Sequence, residues 1–148
     1  MSRRKFELIA DFFPSSNLDF CFVQETMISN ESKIASLSAS WRGPSFWAPA
    51  VGRRGGVAIL CSQDFSDQVS VWQKDSNGRI VSLLVQCDSV KLNLVNVYAP
   101  TVPVKERFFF RECHLFSFRI LILSLVVILI VLIPLLIKWA EQFLWIQT

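Results

Sequence analysis

The chain is poor in the residues that build metal centres. Among its 148 residues there is one histidine, His114, and four cysteines: Cys21, Cys61, Cys87 and Cys113. No C-x-x-C spacing occurs, which argues against a zinc ribbon or finger. Three of the cysteines sit inside apolar, strand-like runs, where cysteine acts as a small core hydrophobe, and this usage predicts a reducing compartment. The start, Met1-Ser2-Arg3-Arg4-Lys5, is basic, but no apolar signal core follows it, so the first domain is expected not to be secreted. There is no internal repeat and no low-complexity stretch. Charge itself is missing from one end: beyond Arg119 only Lys138 and Glu141 are charged.

What is present is enough for one ordinary domain, able to bury roughly two-thirds of its unfolded surface. The hydrophobic fraction of 52% and mean hydropathy of +0.42 are high for a soluble domain, and the excess lies after Arg119. The net charge of +3 is compatible with phosphate backbones without requiring them.

Phe6, Ile9, Ala10 and Phe13 recur at helical spacing and Pro14 ends the pattern, predicting a helix over residues 3–13. Residues 19–24, Asp-Phe-Cys-Phe-Val-Gln, read as a buried strand. Asn30 is placed to cap a second helix that carries Ile34 and Leu37 and runs to about Trp41. From Phe46 the pattern turns to strands. Gly55-Gly56 precede an apolar strand over residues 57–61. Residues 69–72 and 80–85 flank Ser76-Asn77-Gly78, where Asn-Gly predicts a tight hairpin turn with positive φ angles. Asp88-Ser89 turns into a strand over residues 91–98. Lys105 to Arg111 reads as a helix start. The sum is five or six strands after one or two helices, an α/β layered pattern with mixed pairing.

Two side chains at strand ends are chemically able. Glu25 follows the first strand, and a hard divalent cation such as magnesium accepts one or two protein carboxylates when phosphate and water fill its shell. Taken alone, an exposed strand-end glutamate is the commoner meaning. Tyr98 follows the last strand, and its hydroxyl could meet a phosphate. Alone, it reads as a packed ring with a wet tip.

The words around these residues carry more together. Gln24-Glu25-Thr26, Gly55 to Leu60, Gly78-Arg79-Ile80 and Asn96-Val97-Tyr98-Ala99-Pro100 occur in order over residues 19–110. This set resembles the endonuclease/exonuclease/phosphatase superfamily, and most of all the endonuclease domain of LINE-type retrotransposons. The resemblance implies part of a four-layer α/β sandwich and phosphodiester hydrolysis by in-line attack on a metal-bound phosphate. It implies that Glu25 binds magnesium, that Tyr98 sits beside the scissile phosphate as a catalytic residue, and that Arg53 and Arg54 touch the DNA backbone. Solvated loop arginines are the plain alternative for the last pair.

Departures are large. The family's opening strand with an active-site asparagine, its Gly-Asp-x-Asn word and its Asp-His pair are all missing, Thr101 replaces a frequent asparagine, and His114 matches nothing. The expectation is a truncated domain without useful nuclease activity, because removing members of a catalytic unit costs many orders of magnitude in rate.

Residues 120–137 form an apolar run interrupted only by Ser124 and Pro134. At about 1.5 Å per residue it spans about 27 Å as a helix, close to the ~30 Å hydrocarbon core. It therefore reads as a transmembrane helix, with Lys105, Arg107, Arg111 and Arg119 placing the N-terminal side in the cytosol. Another origin fits as well. Residues 125–133 back-translate to TTG GTG GTG ATT TTA ATT GTA TTG ATN, with third bases free to choose. Read two bases along, this string encodes Gly-Gly-Asp-Phe-Asn-Cys-Ile-Asp, the missing family word, about 30 positions beyond Tyr98 where the family carries it. A frameshift between about Arg111 and Leu125 would produce such a tail.

The expected organisation is an endonuclease-like domain over residues 1–110, a basic junction over 111–119, the apolar helix over 120–137 and a short tail over 138–148. The leading functional expectation is an inactive remnant of a magnesium-dependent retrotransposon DNA endonuclease, ancestrally nuclear or cytoplasmic. The alternative is a tail-anchored, single-pass membrane protein with a cytosolic binding or scaffolding domain. An active nuclease completed by a partner chain is a third, weaker expectation.

Overall fold

A computed structural model describes residues 1–98 and 125–129 of the chain. Helix α1, Arg3–Phe12, begins where Ser2 accepts a hydrogen bond from the Lys5 amide at 3.3 Å and is reinforced by an Arg3–Glu7 pair one turn apart. Helix α2, Glu31–Ser40, begins at Asn30, whose side-chain oxygen accepts from the Lys33 amide at 3.1 Å. Both caps satisfy amides that the helix itself leaves unpaired.

The strands form two sheets. In the first, β1 (Phe20–Val23), β2 (Ser45–Ala48) and β3 (Val57–Cys61) lie in the order β1-β3-β2 and pair antiparallel. In the second, β4 (Val69–Lys74), β5 (Ile80–Cys87), β6 (Val90–Val97) and β7 (Leu125–Leu129) lie in the order β4-β5-β6-β7. Pairing there is antiparallel except for β6 with β7, which is parallel from Leu92 beside Leu125 to Asn96 beside Leu129.

Strand β3 is buried throughout, and the alternation of side chains along a strand makes it serve two cores. Ala58 and Leu60 join Phe6, Phe13, Leu37, Trp41 and Trp47 in the core under the helices. Val57, Ile59 and Cys61 turn the other way and meet Val81, Leu83, Val85 and Leu94 between the sheets. Each fully buried large aliphatic side chain is worth about 1.5–3 kcal/mol relative to exposure. Trp41 locks α2 to this strand by donating its indole N–H to the Cys61 carbonyl at 2.7 Å. On the far face of the second sheet Ile80, Val95 and Val97 are buried too. The arrangement is α/β, with helices on one sheet and that sheet on a second.

Two expectations change. The turn between β4 and β5 is not a two-residue Asn-Gly hairpin: Gly78 has a φ of +67° but Asn77 is not left-handed. Asp75 organises the turn instead, accepting the amides of Asn77, Arg79 and Ile80 at 3.1, 2.8 and 2.9 Å. The apolar run also differs from a helix where it is described, since Leu125–Leu129 is a strand. Val126, Val127 and Ile128 are β-branched, and a continuous apolar run fits a buried strand as well as a helix. No helix among the described residues is long and apolar enough to cross a membrane. The remainder of residues 120–137, the helix start at Lys105, the junction over 111–119 and the tail over 138–148 lie outside the described residues.

Candidate functional site

The four sequence words meet at one end of the sandwich. Gln24, just past β1, donates from its side-chain nitrogen to the Asn96 side-chain oxygen at 3.1 Å and to the Val97 carbonyl at 2.9 Å. Asn96, completely buried, donates in turn to the carbonyls of Val23 at 3.0 Å and Ala58 at 2.9 Å. One amide thus ties β6 to both β1 and β3 across the gap between the sheets. A buried amide with all its bonds made fixes a unique register.

Further links are backbone to backbone. The Thr26 and Met27 amides donate to the carbonyls of Gly56 and Gly55 at 2.9 and 3.0 Å. The Gly56 amide donates to the Gly78 carbonyl, and the Tyr98 amide to the Arg79 carbonyl, each at 2.8 Å. Glycine is required at this crossing. A Cβ on Gly56 would stand 2.2 Å from the Thr26 hydroxyl, and one on Gly78 would stand 2.0 Å from the Pro49 carbonyl oxygen.

Glu25 sits between these anchored neighbours, half-buried, with a φ of +52°. A left-handed glutamate costs on the order of 1 kcal/mol or more and persists only where its surroundings impose it. Tyr98 is half-buried beside the inter-sheet core. The Arg79 guanidinium lies 5.4 Å from the Tyr98 ring centre and donates to the Tyr98 carbonyl at 3.4 Å, a cation over a ring face. Arg53 and Arg54 are exposed in the tight turn closed by the Val51–Arg54 bridge.

The structure therefore brings Glu25 and Tyr98 to one rim through their neighbours and puts Arg53 and Arg54 in the adjoining loop. Sequence reasoning gave no role to Gln24, Asn96 and Arg79, which hold the rim together. A polar residue at an inward position of an apolar strand was the available signal for Asn96.

Glu25 is one carboxylate. Among the described residues no three acidic, histidine or cysteine side chains gather as a metal cage. A magnesium ion here would have to draw its remaining ligands from water and substrate phosphate, so the described residues do not by themselves make a metal centre.

No family model matches the chain. The Transposon TX1 uncharacterized 149 kDa protein of Xenopus laevis is 33% identical over 107 residues, which span 72% of this chain and 8% of that protein. Among solved structures, the Xenopus laevis APE2 catalytic domain superposes with a TM-score of 0.56 at 18% identity, covering 78% of this chain and 49% of that one. TDP2 from Caenorhabditis elegans gives 0.53 at 19% identity over 79% and 37% of the two chains. The AP endonuclease LMAP from Leishmania major gives 0.53 at 14% over 76% and 39%. The chain thus spans under half of each of these solved chains and a small part of the transposon protein. The ordered motifs, their meeting at one rim and these likenesses agree: the chain carries an endonuclease/exonuclease/phosphatase-like domain and is similar in sequence to part of a transposon protein.

Proposed function

We propose that this chain is the scaffold of a retrotransposon-type DNA endonuclease domain that retains a phosphodiester-facing rim and has lost hydrolysis. The observation that carries this reading is the hydrogen-bonded convergence of Gln24, Gly56, Gly78 and Val97 around Glu25 and Tyr98. Glu25 would supply one magnesium ligand, Tyr98 would face the phosphate, and Arg53 with Arg54 would hold the DNA backbone. The ion's contribution, when bound, is to offset charge on the phosphate.

Loss of hydrolysis rests on the missing Gly-Asp-x-Asn word, whose place falls near residue 128. The parallel register favours this placement: Ile128 lies beside Val95 and Leu129 beside Asn96. The shifted-frame aspartate codon therefore overlaps Ile128 and the asparagine codon begins within Leu129, at the end of β7 that pairs with Asn96. A frameshift is thereby supported as the origin of residues 125–133. The membrane-anchored alternative gains no observation, because the middle of its proposed helix is a strand.

The test has two parts. The genomic and transcript sequence across residues 111–148 should spell Gly-Asp-Phe-Asn in the shifted frame; its absence there removes the frameshift origin. The full chain should bind duplex DNA with magnesium present yet leave supercoiled plasmid uncut. Magnesium-dependent nicking that disappears in Glu25→Ala would instead reveal an active nuclease.

A further inference from the structure

Helix α1 has two faces, and only one is covered among the described residues. Phe6 is buried in the core under the helices, and Ile9 and Ala10 pack against that core. The other face carries Leu8, 63% exposed, and Phe12, 64% exposed. They stand four residues apart, so they are neighbours on one stripe of the helix. Arg4 heads the same stripe one turn before Leu8, and Arg4, Lys5 and Asp11 are all exposed. The one ion pair among the described residues is Arg3 with Glu7, which leaves Arg4, Lys5 and Asp11 without a charged partner there. The order of charge along α1 is also unusual. Its first turn holds no acid and its last turn no base, whereas the helix dipole favours acids at the start and bases at the end. That order does not serve an isolated helix.

We propose that this face docks a second copy of the chain, with α1 lying antiparallel on α1 about a two-fold axis and Leu8 meeting Leu8. The helix turns by about 100° per residue. Arg4 and Asp11 therefore fall on one flank of Leu8, and Lys5 and Phe12 on the other. A two-fold axis perpendicular to both helices keeps each flank on its own side and exchanges the two ends. Arg4 of one copy then meets Asp11 of the other, and Lys5 meets the Phe12 ring as a cation over a π face. Each contact is made twice, as an isologous interface requires. Antiparallel pairing also opposes the two helix dipoles and sets the basic start of each helix beside the acidic half of the other. Mixed signs select a copy of the chain over an anionic lipid surface, which Glu7 and Asp11 would repel. A helix of 10 residues is only about 15 Å long. The contact thus falls below the roughly 1,200 Å² of stable complexes, and the dimer is a weak one governed by concentration. The proposal rests on α1 and is independent of the rim.

The experiment is sedimentation equilibrium of the full chain over a concentration series, beside Arg4→Glu, Asp11→Arg and an equimolar mixture of the two. Both positions are exposed, and both substitutions move the helix charges towards what its dipole favours, so circular dichroism should match the parent. The parent should dimerise as its concentration rises. Each variant alone should dimerise about ten-fold more weakly or worse, because like charges then face each other twice. The mixture should restore the dimer, since each reversed charge finds its opposite in the other variant. Leu8→Arg should leave the chain monomeric by setting two cations on the axis. Variants that associate like the parent, or a mixture no more dimeric than its components, would overturn the proposal. So would a parent that stays monomeric, and one that then sediments with phosphatidylserine vesicles would assign this face to lipid.

Discussion

Gln24 and Asn96, 72 positions apart in the chain, share a 3.1 Å side-chain hydrogen bond that closes the rim between the two sheets. The bond joins the segment that carries Glu25 to the strand that carries Tyr98. Neither amide can leave without stranding a partner: Asn96 serves the Val23 and Ala58 carbonyls, and Gln24 serves the Val97 carbonyl.

Asn96→Ala should therefore cost about 2–4 kcal/mol in chemical denaturation, from stranded buried carbonyls and a small cavity. Gln24→Ala should cost about 1–2 kcal/mol. The double variant should lose less than the sum, because both substitutions break the same bond. Full additivity would mean that the two amides do not act together.

Gly78→Ala meets two obstacles, a φ of +67° and the Pro49 carbonyl 2.0 Å from the new Cβ. Backbone cannot move aside cheaply, so the loss should exceed about 2 kcal/mol. Gly52→Ala is the control, since it shares the left-handed φ but has nothing within 4 Å, and should cost about 1 kcal/mol. Equal melting temperatures for the two variants would contradict the close crossing at Gly78.

Cys61 reports folding. Burial pushes its thiol from an ordinary value near 9 up to about 12, and the thiolate is the reactive form. At pH 9 Cys61 of the native chain should stay unmodified by an alkylating agent, as read by peptide mass spectrometry; urea should release it. Because the folded value is raised, the neutral thiol's contribution to stability is intact below about pH 9. It is lost as the pH climbs from 9 towards 12. Rapid native-state labelling of Cys61 would show that the inter-sheet core is open.

Val127→Pro separates strand from membrane helix. In the parallel ladder Val127 lies beside Leu94, and proline there removes an amide and should lower the melting temperature of the whole chain. A membrane helix tolerates proline better, so unchanged stability with unchanged membrane recovery would favour the helix.

The sequence disclosed the helices and most strands because their signals are local. Asn30 caps α2 as expected, and residues 57–61 form β3 with the anticipated bounds. The rim was legible as an order of words, but not as a network. Gln24 meets Val97 only after two sheets stack, and no local pattern encodes that. The Asn77-Gly78 turn misled because a side chain, Asp75, took the amides that a backbone turn would have used. Over Leu125–Leu129 a strand stands where a helix was expected, because spacing cannot tell the two apart when every residue is apolar.

The pairing of β7 with β6 has a consequence for how such a domain ages. A place beside β6 demands extended backbone and little more, and codons with thymine in the middle supply apolar residues across many spellings. A carboxylate at the same place demands guanine and then adenine in the first two positions of its codon. Architecture at this edge is therefore written in a redundant script and chemistry in a strict one, so copying errors erase the second long before the first.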